Sequence, residues 1–150
     1  MVPLVRILLV EDFEPFRRFL RLALQATAEF KVVGEALDGL EAVQKAKDLK
    51  PDLILIDIGL PKLNGLAAAE QIRTLIPHAK LLFVTLESSS AAVQEAFRLG
   101  AQGYIHKLRA QLDLLPAIEA VLAGKQFVSS DLEFSDATKS QRRREVQFHS

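Results

Sequence analysis

Val5-Arg6-Ile7-Leu8-Leu9-Val10-Glu11-Asp12 and Leu53-Ile54-Leu55-Ile56-Asp57 decide how this chain folds. Each is a short, β-branched and leucine-rich run with hardly a polar residue to alternate, as in strands buried on both faces of a parallel sheet. Each also ends in carboxylates. Open α/β sheets bind ligands beyond the carboxyl ends of their strands. If the two strands are neighbours, Glu11, Asp12 and Asp57 share one crevice. Like charges that close are unfavourable unless a cation joins them or a proton stays on. The pattern predicts a divalent metal.

Outward from these runs, strand-like and helix-like segments alternate. Pro15 reads as a first-turn proline of a helix in which Phe16, Phe19, Leu20, Ala23 and Leu24 recur at helical spacing, with Arg17, Arg18 and Arg21 on the other side. A second strand covers about residues 30–36. Asp38 and Glu41 form a capping box for a helix through Leu49, and Pro51 prevents its continuation. Asn64-Gly65 opens a helix to about Leu75. Residues 80–85 read as a fourth strand, 88–99 as a helix stopped by Gly100, 103–107 as a fifth strand, and 111–123 as a last helix stopped by Gly124. Five strand–helix units with short connections predict an α/β fold, a doubly wound (βα)5 parallel sheet.

Residues 125–150 are polar and without a helical period. They read as a linker or tail, and Arg142-Arg143-Arg144 as a solvated face. A length of 150 residues suits one domain with a sizeable core. Zero formal net charge supplies no field toward nucleic acid or an anionic membrane. The absence of cysteine excludes disulfide and thiol chemistry and fits a reducing cytosol. No apolar run reaches membrane-spanning length, and Met1-Val2-Pro3-Leu4 enters the first strand without a charged-then-apolar leader. A soluble, cytoplasmic protein is expected. His78, His106 and His149 show no metal-ligand spacing and read as surface or internally satisfied histidines.

Thr85 ends the fourth strand and Lys107 the fifth, so all the chemistry-bearing residues fall at strand ends. With Glu11-Asp12 and the run Asp57-Ile58-Gly59-Leu60-Pro61-Lys62-Leu63-Asn64-Gly65, they make residues 4–124 resemble the receiver domain of two-component response regulators. The resemblance implies a flavodoxin-like sheet of strand order 2-1-3-4-5. It implies that Asp57 accepts a phosphoryl group from a sensor histidine kinase or phosphotransfer protein, and an aspartate can hold phosphorus as an acyl phosphate. It implies Mg2+, a cation that takes oxygen ligands and keeps several waters. Asp12 and Asp57 would be direct ligands, the Gly59 carbonyl a third, and Glu11 would act through water. Lys107 would supply a point charge, and Thr85 a hydroxyl donor, to phosphoryl oxygens. Thr85 and Tyr104 would form a switch that shifts the surface of helix four, strand five and helix five. The first helix and the loop after strand five would meet the kinase, and homodimerisation is among the partner options. Such a domain is not an enzyme beyond its own phosphoryl transfer and dephosphorylation.

The chain departs from the common receiver pattern at three places. Leu86 stands where a small residue is usual, Leu108 where proline often follows the lysine, and Gly59 offers no side chain beside the phosphate while Glu87 can reach toward it. Residues 117–132 resemble the exit segment of regulators with a LuxR-type helix-turn-helix. The organisation expected is a receiver over 1–124 and a tail over 125–150 leading to an output domain absent or truncated here, so that the chain itself does not bind nucleic acid. A flavodoxin-like cofactor binder would need a phosphate-cradling loop after the first strand, where Glu11-Asp12 stands. A phosphatase would need a second acid where Gly59 stands. The runner-up is a receiver-like interaction module that is not phosphorylated, on the strength of Leu86 and Leu108.

Overall fold

The computed structural model describes residues 3–132. Its elements are β1 (Val5–Val10), α1 (Glu14–Gln25), β2 (Phe30–Ala36), α2 (Gly39–Leu49), β3 (Leu53–Ile56), α3 (Gly65–Leu75), β4 (Lys80–Thr85), α4 (Ser90–Arg98), β5 (Gly103–His106), α5 (Ala110–Leu122) and β6 (Phe127–Val128). The strands form one parallel sheet in the order β2-β1-β3-β4-β5-β6. The order reverses at β1, and the crevice between β1 and β3 is the switch point where such sheets bind ligands. Val10 pairs with Ile56, so Glu11 and Asp57 leave the sheet side by side.

The unbroken apolar runs are explained by two cores. Leu8, Val10, Ile54, Ile56, Leu81, Phe83 and Tyr104 pack against α2, α3 and α4. Ile7, Leu9, Leu53, Leu55, Leu82, Val84 and Ile105 pack against α1 and α5. Pro15 stands in the first turn of α1. Asp38 Oδ1 accepts from the Glu41 N–H at 2.8 Å, and Glu41 Oε1 accepts from the Leu37 N–H at 2.7 Å, one residue before the cap. Helix α4 begins at Ser90, two residues later than its periodicity suggests, because Ser89 takes the cap and accepts from Ala92 N–H.

The structure adds a strand that the sequence reading leaves inside the tail. Phe127 and Val128 pair with Gly103 and Tyr104. Beyond them Ser129 is buried, donating through Oγ to Asp113 Oδ2 at 2.7 Å and accepting from the His106 N–H at 3.0 Å. Two residues are too short a strand to carry a period, which is why residue 124 reads as the end of the pattern. His106 Nδ1 lies 2.7 Å from Asp131 Oδ2, and His78 is exposed; His149 and Arg142-Arg143-Arg144 lie outside the described residues. Lys107 begins a 3-10 turn, Lys107–Arg109, rather than ending β5. Leu108 sits in that turn, and no peptide bond among the described residues is cis. Among the described residues no helix is long and apolar enough to cross a membrane.

Candidate functional site

The sheet places the acidic residues one at a time. Glu11 N–H donates to Ala36 O at 3.0 Å and Asp57 N–H to Val10 O at 3.1 Å, so each carboxylate is anchored by the last rung of a parallel ladder. Glu11 is buried, with 1 % of its surface exposed. Its Oε2 accepts from the Phe13 N–H at 3.0 Å. Its Oε1 lies 2.8 Å from Lys107 Nζ, in ion-pair contact but without hydrogen-bond alignment. Burial raises the pKa of this carboxyl, against the pull of Lys107 and the Phe13 N–H. Asp12 is exposed in the turn that follows. A strand-end aspartate is often a helix cap, but here the N-cap of α1 is Phe13, and Asp12 is free to face the crevice mouth.

Asp57 is buried. Its Oδ1 accepts from the Ile58 N–H at 2.7 Å, and its Oδ2 from Lys107 Nζ at 3.1 Å. One oxygen from each of Glu11, Asp12 and Asp57 comes within 4.8 Å of the others. The set is all oxygen, and Glu11 Oε1 is a buried acceptor with no aligned donor. A hard divalent cation fits this donor set. For the Lys107 ammonium, burial works against the charge, but Glu11 and Asp57 outweigh it and raise its pKa. Two carboxylates of the cluster pair with one ammonium.

A cleft of about 430 Å3 opens beside Asp57, lined by Ile58, Gly59, Thr85, Leu86, Glu87, Ser88 and Lys107. A Cβ at Gly59 would meet nothing within 4 Å, so this side is open. Leu86, in the cleft lining, is 61 % exposed, and Leu108, in the turn that Lys107 begins, is 78 % exposed. Glu87 turns its Oε1 to the Ser89 N–H at 3.2 Å. Thr85 and Tyr104 meet on the backbone of the same residue. Thr85 Oγ1 accepts from the Glu87 N–H at 3.2 Å, and the Tyr104 hydroxyl donates to Glu87 O at 2.7 Å. Tyr104 is completely buried, and burial lifts its phenol above the usual range.

Glu11, Asp12, Asp57, Gly59, Thr85 and Lys107 thus come to one sheet edge, and Tyr104 stands behind it. Two contributors are hidden in the sequence. Arg17, which reads as part of a solvent-facing stripe, is half-buried and donates through Nη1 to Glu11 O at 3.1 Å while its Nε pairs with Glu35 at 2.9 Å. The signal for it is Glu35, an acid near the end of the mostly apolar β2. Phe16, which reads as core, lies with its ring 4.7 Å from Lys107 Nζ.

Residues 7–119 match the family model described as response regulator receiver domain. The chain is 33% identical over 129 residues to the transcriptional regulatory protein LnrK of Bacillus subtilis, covering 86% of this chain and 59% of that protein. It therefore spans about three fifths of the length of that relative. It is 38% identical over 102 residues to the chemotaxis protein CheY of Thermotoga maritima, covering 68% of this chain and 84% of that protein. Among solved structures, a LuxR-family two-component response regulator from Aurantimonas sp. SI85-9A1 superposes with a TM-score of 0.83 at 33% identity, covering 94% of this chain and 98% of that one.

Proposed function

Because the chain belongs to the response regulator receiver domain family, we propose that it takes a phosphoryl group onto Asp57 from a histidine kinase or phosphotransfer protein and passes the change to an output module. The observation that supports this most is the contact of Lys107 with both Glu11 and Asp57 at the mouth of an open cleft. It combines a nucleophile, a cation for a phosphoryl oxygen and an acidic metal set within a few ångströms. An Asp57 carboxylate oxygen attacks phosphorus in line with the leaving group. The P–N or P–O bond of the donor breaks and the leaving group departs with the bonding pair, as a free carboxylate from an acyl phosphate or as an imidazole, whose ring proton balance is set by solvent, from phosphohistidine. Asp12, Asp57 and the Gly59 carbonyl would hold Mg2+, with Glu11 acting through water. When bound there, the cation would supply charge neutralisation for the phosphoryl oxygens.

Lys107 then turns from Asp57 Oδ2 to a phosphoryl oxygen, and Thr85 donates to another. To do so Thr85 Oγ1 lets go of the Glu87 N–H, while Glu87 O remains the partner of Tyr104. The β4–α4 loop is therefore the element whose two arrangements the phosphoryl group biases. A cytoplasmic setting follows from the partners proposed. A second reading, a receiver-like module that binds partners without being phosphorylated, draws on the exposed apolar Leu86 and Leu108.

The test is intact mass after incubation with acetyl phosphate. The wild type is expected to gain one phosphoryl group with Mg2+ present and none when the cation is chelated. Asp57→Asn is expected to gain none under either condition. A wild type that stays unmodified with several donors favours the second reading.

A further inference from the structure

Lys107 is held by three groups, and only two of them belong to the acidic site. The third is Phe16. It lies in the first turn of α1, directly after Pro15, and its ring is tilted against that of Phe19, with centroids 5.4 Å apart at an interplanar angle of 33°. Lys107 Nζ stands 4.7 Å from the Phe16 centroid, 2.8 Å from Glu11 Oε1 and 3.1 Å from Asp57 Oδ2. An ammonium over an aromatic face at that range is attracted by the ring quadrupole, and more strongly when desolvated. The lysine side chain is 12% exposed.

The three partners differ in what they do during the reaction. Glu11 and Asp57 lose their hold on Lys107 when their charge is satisfied by a cation or a phosphoryl group. The ring is neutral, and it keeps its attraction whatever the carboxylates bind. A long, flexible ammonium released by both carboxylates would otherwise extend into water, where lysine is strongly hydrated.

We propose that Phe16 is a positioning residue for Lys107, an aromatic rest that keeps the ammonium at the cleft while the carboxylates are engaged elsewhere. The inference rests on the receiver reading of Asp57 and Lys107. It adds a residue whose helical spacing marks it only as core.

Phe16→Leu keeps an apolar side chain and removes the π face; Phe16→Tyr keeps the face. With acetyl phosphate and Mg2+, Phe16→Leu is expected to take up phosphoryl about three- to tenfold more slowly at saturating donor, with Phe16→Tyr within about twofold of wild type. The donor concentration giving half the maximal rate should not move, since the ring acts on the reacting complex and not on donor capture. A second readout is independent of phosphorylation. In protein carrying 13C-labelled lysine, the Lys107 ε-methylene signal, assigned by its loss in Lys107→Arg, should be shifted upfield by the ring. That shift should persist with Mg2+ and in Phe16→Tyr, and vanish in Phe16→Leu. Equal rates for Phe16→Leu and wild type, a Phe16→Tyr as slow as Phe16→Leu, or an unshifted Lys107 signal would overturn the proposal. A wild type that shows the shifted signal but takes up no phosphoryl group would overturn the phosphoacceptor reading of Asp57 and leave only the contact between Phe16 and Lys107 standing.

Discussion

Lys107→Ala is expected to slow phosphoryl uptake by about a hundredfold or more, the scale of losing one preorganised charge at a reacting group. The same change is expected to move two other quantities in ways that a surface lysine would not. Lys107 Nζ sits 2.8 Å from Glu11 and 3.1 Å from Asp57, two of the three carboxylates in the metal set, so it is expected to compete with a divalent cation for their charge. Its removal should raise Mg2+ affinity by roughly threefold or more, measured by calorimetry. In chelator the variant should be less stable by roughly 2 kcal/mol, because Glu11 is left buried without its cation. The loss is smaller than for a fully enclosed pair since burial already favours protonation of Glu11. Adding Mg2+ should restore most of that stability. Denaturant titrations with and without the cation check this. A variant with unchanged stability and unchanged affinity would show that Lys107 is not part of the acidic cluster at all.

The second large effect is expected at Gly65. A Cβ built there would lie 1.9 Å from Asp57 O and 2.8 Å from Ile58 Cα, both backbone atoms that cannot swing aside. The helix start has to come this close because Asn64 caps it, accepting from the Ala67 N–H at 3.0 Å, while Gly65 N–H donates to Ile58 O at 2.8 Å. Gly65→Ala must push the α3 start away from the strand end that carries Asp57. The expected cost is about 3 kcal/mol or more in denaturant unfolding, with phosphoryl uptake lost beyond what the fall in folded fraction explains. Gly59→Ala is the control. Its Cβ would meet nothing within 4 Å, so the fold should be unaffected.

These two residues show where the sequence was legible and where it was not. The five strands and the residues at their ends could be read because each acid, hydroxyl or ammonium closes a mostly apolar run, whereas the strand order came from the resemblance to receiver domains. Lys107 follows Gly103-Tyr104-Ile105-His106 at the end of the fifth strand. Gly65 reads correctly as the start of α3, but its closeness to Asp57 O is a contact between two segments that only the coordinates show. Phe16 packs on the core as its spacing implies, but its contact with Lys107 and the inward reach of Arg17 went unread for one reason. Helical periodicity sorts side chains into inside and outside, and both of these lie at the boundary, one placing its ring 4.7 Å from an ammonium and the other reaching the Glu11 carbonyl. Strand β6 went unseen because two residues carry no period, and what fixes it is the buried Ser129 bridging Asp113 and His106.

The central claim is that Asp57, and no other carboxylate of the cluster, receives the phosphoryl group. It is tested most directly by trapping the site. Protein incubated with acetyl phosphate and Mg2+ is reduced with borohydride, which converts an aspartyl phosphate to homoserine, and is then mapped by peptide mass spectrometry. The expected result is conversion confined to position 57 and absent when Mg2+ is chelated. Conversion at Asp12 instead, or phosphoryl uptake with no conversion at Asp57, would contradict the account.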